Sequence, residues 1–287
     1  MIPLRLLSLL FSLGAISGSL RTPSAAATLH GPVMVRPGPR LTQHVLFDST
    51  YQRPRRLWVY TPTDYDAHRR APYPLIIAFD GDEYRDTMPL PMTLDTLRAA
   101  GRAPAFVAVL VDDSTGAVRL ADLANAHRMV DFLTSQLVPW VRKGWHVTRD
   151  PHRVIVTGSS AGGLGAAYVA LARPDLFGNV WSQSGAFWRG PEASNQAPWE
   201  SLTRQVAESP RSDLRFVLDV GALEDHPTLG GSGPNFLEVN RRFHAALVAR
   251  RYEVTYSEVP QGNHGPQWWR PRLAYGIVTL TRGWPPD

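Results

Sequence analysis

Residues 153–163 read RVIVTGSSAGG, and Gly158-Ser159-Ser160-Ala161-Gly162 is a G-x-S-x-G pattern set between an apolar run and a small-residue helix. That placement constrains the fold more than any other feature of the chain. Arg153 to Thr157 has the character of a strand buried on both faces, and Ala161 to Ala172 is an uninterrupted helical stretch. A strand that turns into a helix within a few residues needs a bend so sharp that side chains on either side would collide, so glycine flanks the central serine. The turn lifts the Ser160 hydroxyl above the sheet edge and aims the positive end of the following helix at it. Ala161, Gly163 and Gly165 let that helix approach the sheet closely.

The rest of the chain alternates in the same way. Strands are expected at Thr42 to Phe47, Arg56 to Thr61, Pro74 to Phe79, Ala105 to Val111, Asn179 to Ser182, Leu214 to Val220 and Tyr252 to Val259, with Pro54 in a turn joining the first two. Helices are expected at Pro91 to Ala100, Ala121 to Arg142, Asn235 to Arg251 and from about Pro266 onward. In the second of these, apolar Leu123, Ala126, Val130, Leu133, Leu137 and Val141 recur at steps of three and four until Pro139 disturbs the end. Strands alternating with helices predict an α/β fold: a single domain with a mostly parallel central sheet covered by helices on both faces.

A hydroxyl is a poor nucleophile without an adjacent base. Of nine histidines, His264 is the one in a Gly/Asn loop directly after the last strand, in Gln261-Gly262-Asn263-His264-Gly265. The others fall near the N-terminus, within helices or in polar connections. Chain order Ser…acid…His then asks for a carboxylate after the penultimate strand. Gly221-Ala222-Leu223-Glu224-Asp225 offers Glu224, favoured for reach, and Asp225 as the alternative, whereas Asp219 still lies in the strand and reads as structural. The acid would hold the imidazole tautomer. An oxyanion would need two backbone N–H groups: Ala161, after the serine, and Asp82 of Asp80-Gly81-Asp82, after the Pro74 to Phe79 strand.

The N-terminus has a different character. Met1 to Arg5 is short and basic, Leu6 to Ile16 is almost wholly apolar, and small residues lead to Ala25-Ala26-Ala27. This is the order of a secretory signal peptide over residues 1–27, with the mature domain at 28–287 and a periplasmic or secreted location. The apolar run is short of the about 20 residues that span a bilayer, so no stable membrane insertion is expected after cleavage. The chain has no cysteine, which excludes disulfides and a cysteine-linked lipid. Hydrophobic content of 44% suffices for a core without them. Removing residues 1–27 takes away Arg5 and Arg21 and no acidic residue, lowering the formal charge from +5 to +3. That balance is mildly basic and forms no stripe of arginines with interleaved aromatics, so no nucleic-acid partner is expected. No H-E-x-x-H or similar cluster occurs, and neither a metal nor another cofactor is expected.

The stretch from Asn125 to Trp188, with FLTSQLVPWV and then RVIVTGSSAGGLGAAYVALARPDLFGNVWSQSGAFW, resembles the esterase family that includes enterochelin (catecholate siderophore) esterases, esterase D, feruloyl esterases and mycolyltransferases. DGDEY from residue 80, GALE from 221 and GNHGPQWWRPRL from 262 match its remaining blocks in order. The resemblance implies the α/β-hydrolase fold, a triad of Ser160, Glu224 and His264, and oxyanion donors at Asp82 and Ala161. SQSGAFW and the block Arg119…Asp122-Leu123 look most like the siderophore-esterase branch, in its periplasmic single-domain form. The chain departs from many relatives at Gly265-Pro266, where they carry an acidic residue and no proline.

The expected function is therefore an exported serine carboxylic-ester hydrolase working through an acyl-enzyme, with a small-molecule ester such as a catecholate (ferric) siderophore as substrate. A feruloyl or acetyl esterase acting on polysaccharide and an acyltransferase are the alternatives within the same chemistry. A catalytically dead ligand-binding protein is the alternative outside it. Trp188, Trp268 and Trp269 are candidates for stacking on aromatic rings, and Arg85 and Arg119 for meeting anionic charge.

Overall fold

Chain order builds the sheet from strands β1 (Arg40–Asp48), β2 (Arg53–Thr61), β3 (Leu75–Ala78), β4 (Val107–Val111), β5 (Val154–Ser159), β6 (Asn179–Gln183), β7 (Arg215–Gly221) and, last, β10 (Glu253–Val259). Two short strands, β8 (Pro227–Leu229) and β9 (Ser232–Asn235), pair separately as a hairpin. The computed structural model describes residues 40–284 apart from 113–117, 120–121, 124–125, 191–193, 195, 197 and 230–231. The expected leader, residues 1–27, lies outside the described residues. All elements named here belong to one unit, Pro37–Asp287.

The eight strands run in the order β1-β2-β4-β3-β5-β6-β7-β10. From β4 to β10 every neighbour is parallel, and only β1 and β2 are antiparallel additions at one edge. Parallel strands need crossovers, and the helices that make them cover both faces of the sheet. Alternation along each strand divides the core in two. Leu75, Ile77, Val154 and Val156 face one side, where α2 (Ala126–Phe132), α3 (Val138–Gly144), α4 (Ala161–Ala172), α5 (Ser201–Glu208) and α6 (Phe236–Ala249) bring Phe132, Val141, Val169, Leu202 and Phe243. Ile76, Ala78 and Ile155 face the other, against Leu94 and Leu97 of α1 (Leu90–Ala99) and Leu273 and Ile277 of α8 (Leu273–Leu280). The short α7 (Pro266–Trp269) precedes α8. No helix among the described residues is long and apolar enough to cross a membrane.

Two local expectations need correction. Pro54 is not in the turn: it is the second residue of β2, opposite Phe47. A proline is tolerated near the start of a strand by the sheet edge, and the turn is closed instead by Asp48, whose Oδ1 accepts from the Thr50 and Tyr51 N–H groups at 3.0 Å. The helix expected over 121–142 is present without a break through the described residues from Ala126 to Gly144, but it is not uniformly α. Five residues, Leu133–Leu137, form a wider π turn between α2 and α3. A proline ring at position 139 would crowd the carbonyl four residues back in a regular helix, and the wider turn gives it room.

Candidate active site

Ser160 sits between β5 and α4 with φ 56° and ψ −117°, a conformation that L-residues avoid. The surroundings hold it there. Its N–H donates to the Gln183 carbonyl at 2.8 Å, and its own carbonyl accepts from Ala186 N–H at 2.9 Å and Leu164 N–H at 3.2 Å. Gly158 has no alternative, since a Cβ there would lie 2.5 Å from the Gly162 carbonyl carbon, and a Cβ on Gly162 would lie 2.8 Å from Asp80 Oδ2, displacing that carboxylate. Ala161 is the first residue of α4, so its N–H belongs to the positive end of the helix.

The next parallel strands deliver the other groups to the same edge. β7 ends at Gly221 and β10 at Val259, which are partners in the ladder. The loops that follow cross so closely that a Cβ on Gly221 would lie 2.5 Å from the Gly262 carbonyl carbon. Leu223 N–H donates to the Gly262 carbonyl at 2.8 Å across this crossing. Glu224 and His264 are thereby brought together: Glu224 Oε2 is 2.6 Å from His264 Nδ1. Glu224 is 5% exposed, and its Oε1 accepts from Gly221 N–H at 2.7 Å and Ser184 Oγ at 2.5 Å. With the carboxylate ionised, Nδ1 carries the imidazole proton and Nε2 presents its lone pair. Asp225 points elsewhere, 3.6 Å from His226 Nε2 with its side chain half-exposed. Asp219 lies inside β7, where it accepts from Trp181 Nε1 at 3.1 Å and pairs with Arg272 at 2.8 Å. Burial pushes its carboxyl up, and the Arg272 charge opposes that.

Among the described residues no hydrogen bond joins Ser160 Oγ to His264. Such contacts are commonly loose in a ligand-free site and tighten on the substrate. The two groups are linked through consecutive residues: Ser160 is held by Gln183, and Ser184 is held to Glu224.

The segment after β3 lies across the elbow. Asp80, at φ 56°, is ion-paired to Arg119, whose Nη2 is 2.6 Å from Asp80 Oδ2 and 3.4 Å from the Ser159 carbonyl. Arg119 thus ties the segment after β3 to the elbow. Asp82 begins a helical turn, with its carboxylate 3.1 Å from Arg85 Nη2 and 3.3 Å from Arg56 Nη2. Arg85 also bridges to Asp86 at 2.6 Å and lies 4.1 Å over the Trp58 ring. Trp188 is buried against Trp199, with Arg189 4.9 Å from its ring, while Trp268 is half-buried in α7. Glu83, between these groups, has its carboxyl pushed up by burial and by Asp80, with Arg119 and His264 opposing. Sequence reasoning did not single out Ser184, Gln183 or Asp80, and took Trp269 only as a ring. All four lie in blocks that carry the family resemblance, DGDEY, SQSGAFW and GNHGPQWWRPRL, but their roles depend on partners from strands and loops distant in the chain.

A parallel sheet covered on both faces, with a serine on the strand–turn–helix bend and a Glu–His pair on neighbouring strand ends, is the α/β-hydrolase fold. Within that class, residues 49–280 match the family model described as "Putative esterase", and the chain belongs to that family. It is 30% identical over 245 residues to the iron(III) enterobactin esterase of Dickeya dadantii (strain 3937), covering 80% of this chain and 52% of the relative. The iron(III) enterobactin esterase of Escherichia coli (strain K12) is 30% identical over 234 residues, covering 80% of this chain and 54% of that protein. The chain thus spans about half the length of these curated relatives. The crystal structure of the Shigella flexneri enterobactin esterase in the presence of enterobactin superposes with a TM-score of 0.73 at 26% identity, covering 85% of this chain and 59% of that one. A ferulic acid esterase shares the fold, with a TM-score of 0.69 at 17% identity over 85% of this chain and 98% of its own.

Proposed function

We propose that the protein is an exported serine esterase that cleaves carboxylic esters through an acyl-enzyme, with esters of catecholate siderophores as its substrate class. The observation that carries this reading is the Glu224–His264 contact of 2.6 Å at the sheet edge where Ser160 is held at positive φ. In this mechanism Ser160 Oγ attacks the ester carbonyl as His264 Nε2 takes its proton. The oxyanion meets the N–H groups of Ala161 and Asp82. His264 returns the proton to the departing alkoxide, which leaves as the alcohol. Water then repeats the sequence on the acyl-serine and releases the acid. Glu224 holds the imidazole and stabilises its cation. Arg85, Arg119 and Trp268 are proposed as substrate contacts, with Arg119 acting also through Asp80, whereas Trp188, expected from the sequence to stack on substrate, is buried in the core and packs there instead.

The substrate class is supported by the names of the relatives and by the aromatic and cationic groups around the elbow. Turnover of a triscatecholate lactone, a feruloyl ester and a short acyl ester by the wild-type protein and Ser160→Ala tests it. The lactone should be cleaved with the highest kcat/KM, and Ser160→Ala should lose many orders of magnitude on all three. Preference for the feruloyl ester would reassign the substrate, and undiminished turnover by Ser160→Ala would remove the mechanism. Export with cleavage of a leader over residues 1–27 is proposed, and exported material whose N-terminal sequence begins at Met1 would contradict the cleavage.

A further inference from the structure

Glu224 is held by a donor chain with a fixed direction. Trp269 Nε1 lies 2.8 Å from Ser184 Oγ, and Ser184 Oγ lies 2.5 Å from Glu224 Oε1. An indole N–H can only donate, so it occupies a lone pair of the hydroxyl and leaves the single hydroxyl proton for the carboxylate. Ser184 is fully buried and held at φ 49°, with its N–H donating to the Asp219 carbonyl at 2.6 Å. A non-glycine residue kept in this conformation is overdetermined by its surroundings and is common at functional sites. Trp269 is in turn anchored by Gln183 Nε2, which donates to its carbonyl at 2.9 Å, and its ring meets the His264 ring edge-on at 4.9 Å. One tryptophan therefore touches the imidazole directly and reaches the carboxylate through one serine.

We propose that Ser184 and Trp269 are positioning residues: the chain from Trp269 through Ser184 to Glu224 fixes the carboxylate plane and hence the His264 ring. This rests on the reading of Ser160, Glu224 and His264 as a triad. The carboxylate has no rotational freedom left once Gly221 N–H and Ser184 Oγ share Oε1 and His264 takes Oε2. Hydrogen bonds to an ionised group are about twice as strong as neutral ones, so losing one member loosens the acid without emptying the site.

The test is kcat and KM on one aryl ester for Ser184→Ala and Trp269→Phe, each alone and combined with Glu224→Gln, alongside thermal melts and Ser160→Ala. Trp269→Phe keeps the ring against His264 and removes only the donor, so it carries the test if Ser184→Ala does not fold. Each single variant should lower kcat by about 10- to 100-fold with KM within about threefold. In the Glu224→Gln background either should lower kcat by less than about twofold more, because residues acting through one another are not additive. Single variants with wild-type kcat, or losses that multiply fully with Glu224→Gln, overturn the proposal while Ser160→Ala and Glu224→Gln remain inactive. Wild-type kcat in Glu224→Gln itself fails the triad reading, and the positioning role falls with it.

Discussion

At the scale of single residues, the site concentrates conformations that cost free energy elsewhere in a chain. Ser160, Asp80 and Ser184 all have φ near 50°, and each lies within one hydrogen-bonded network at the sheet edge. Between Glu224 and Asp225 the sequence offers only reach and the family resemblance as grounds for choosing Glu224. The structure has the Glu224 carboxylate on His264 and the Asp225 carboxylate beside His226. What the sequence did not disclose was the support, because Ser184 meets Glu224 across 40 positions and Trp269 meets Ser184 across 85. Glu83 offers a test of the local electrostatics. Its carboxyl is raised by burial, so the folded state holds that proton more tightly than the unfolded chain does. The stability that protonation contributes is present at low pH and lost as pH rises through the folded value. Glu83→Gln should therefore raise Tm at pH 7 more than at pH 4, by about 2–4 °C for each kcal/mol recovered. Equal shifts at both pH values, or a fall at pH 7, would show that Glu83 is not strained by burial.

At the scale of elements, legibility followed the strength of the periodic signal. α4 was expected at Ala161 to Ala172 and spans Ala161–Ala172, because a small-residue run between Gly158 and Arg173 admits no other register. Strands β3 to β7 lie within two residues of expectation, since short apolar runs bounded by turn residues have few alternatives. α5 was missed: in Ser201–Glu208 only Leu202 and Val206 are buried, too few to stand out from a polar connection. The β8–β9 hairpin was missed because Pro227–Leu229 and Ser232–Asn235 carry little strand preference, and the pair is closed by contacts such as Thr228 Oγ1 to the Pro234 carbonyl at 2.8 Å. The elbow makes its own prediction at this scale. Gly158→Ala places a methyl against backbone that cannot yield, and overpacking of that kind costs about 1–3 kcal/mol. Denaturant melts should show a loss in that range together with reduced ester turnover, and an unchanged midpoint would mean that the turn has slack.

At the scale of the molecule, the sheet order explains why residues spread over more than a hundred positions form one site. β5, β6, β7 and β10 are consecutive parallel neighbours, so the turns after β5, β7 and β10 open on one edge. Ligand sites of open α/β sheets form at such carboxyl ends. The aromatic and arginine residues around that edge come from other segments, and the sequence could name them only as candidates. The central claim is that Ser160 is the nucleophile of this site, activated by His264. Mass spectrometry of the protein after treatment with a fluorophosphonate tests it most directly. The account predicts one adduct, on the peptide carrying Ser160, absent from Ser160→Ala and strongly reduced in His264→Ala. An adduct on Ser159 or elsewhere, or none in a protein that still hydrolyses esters, would contradict it.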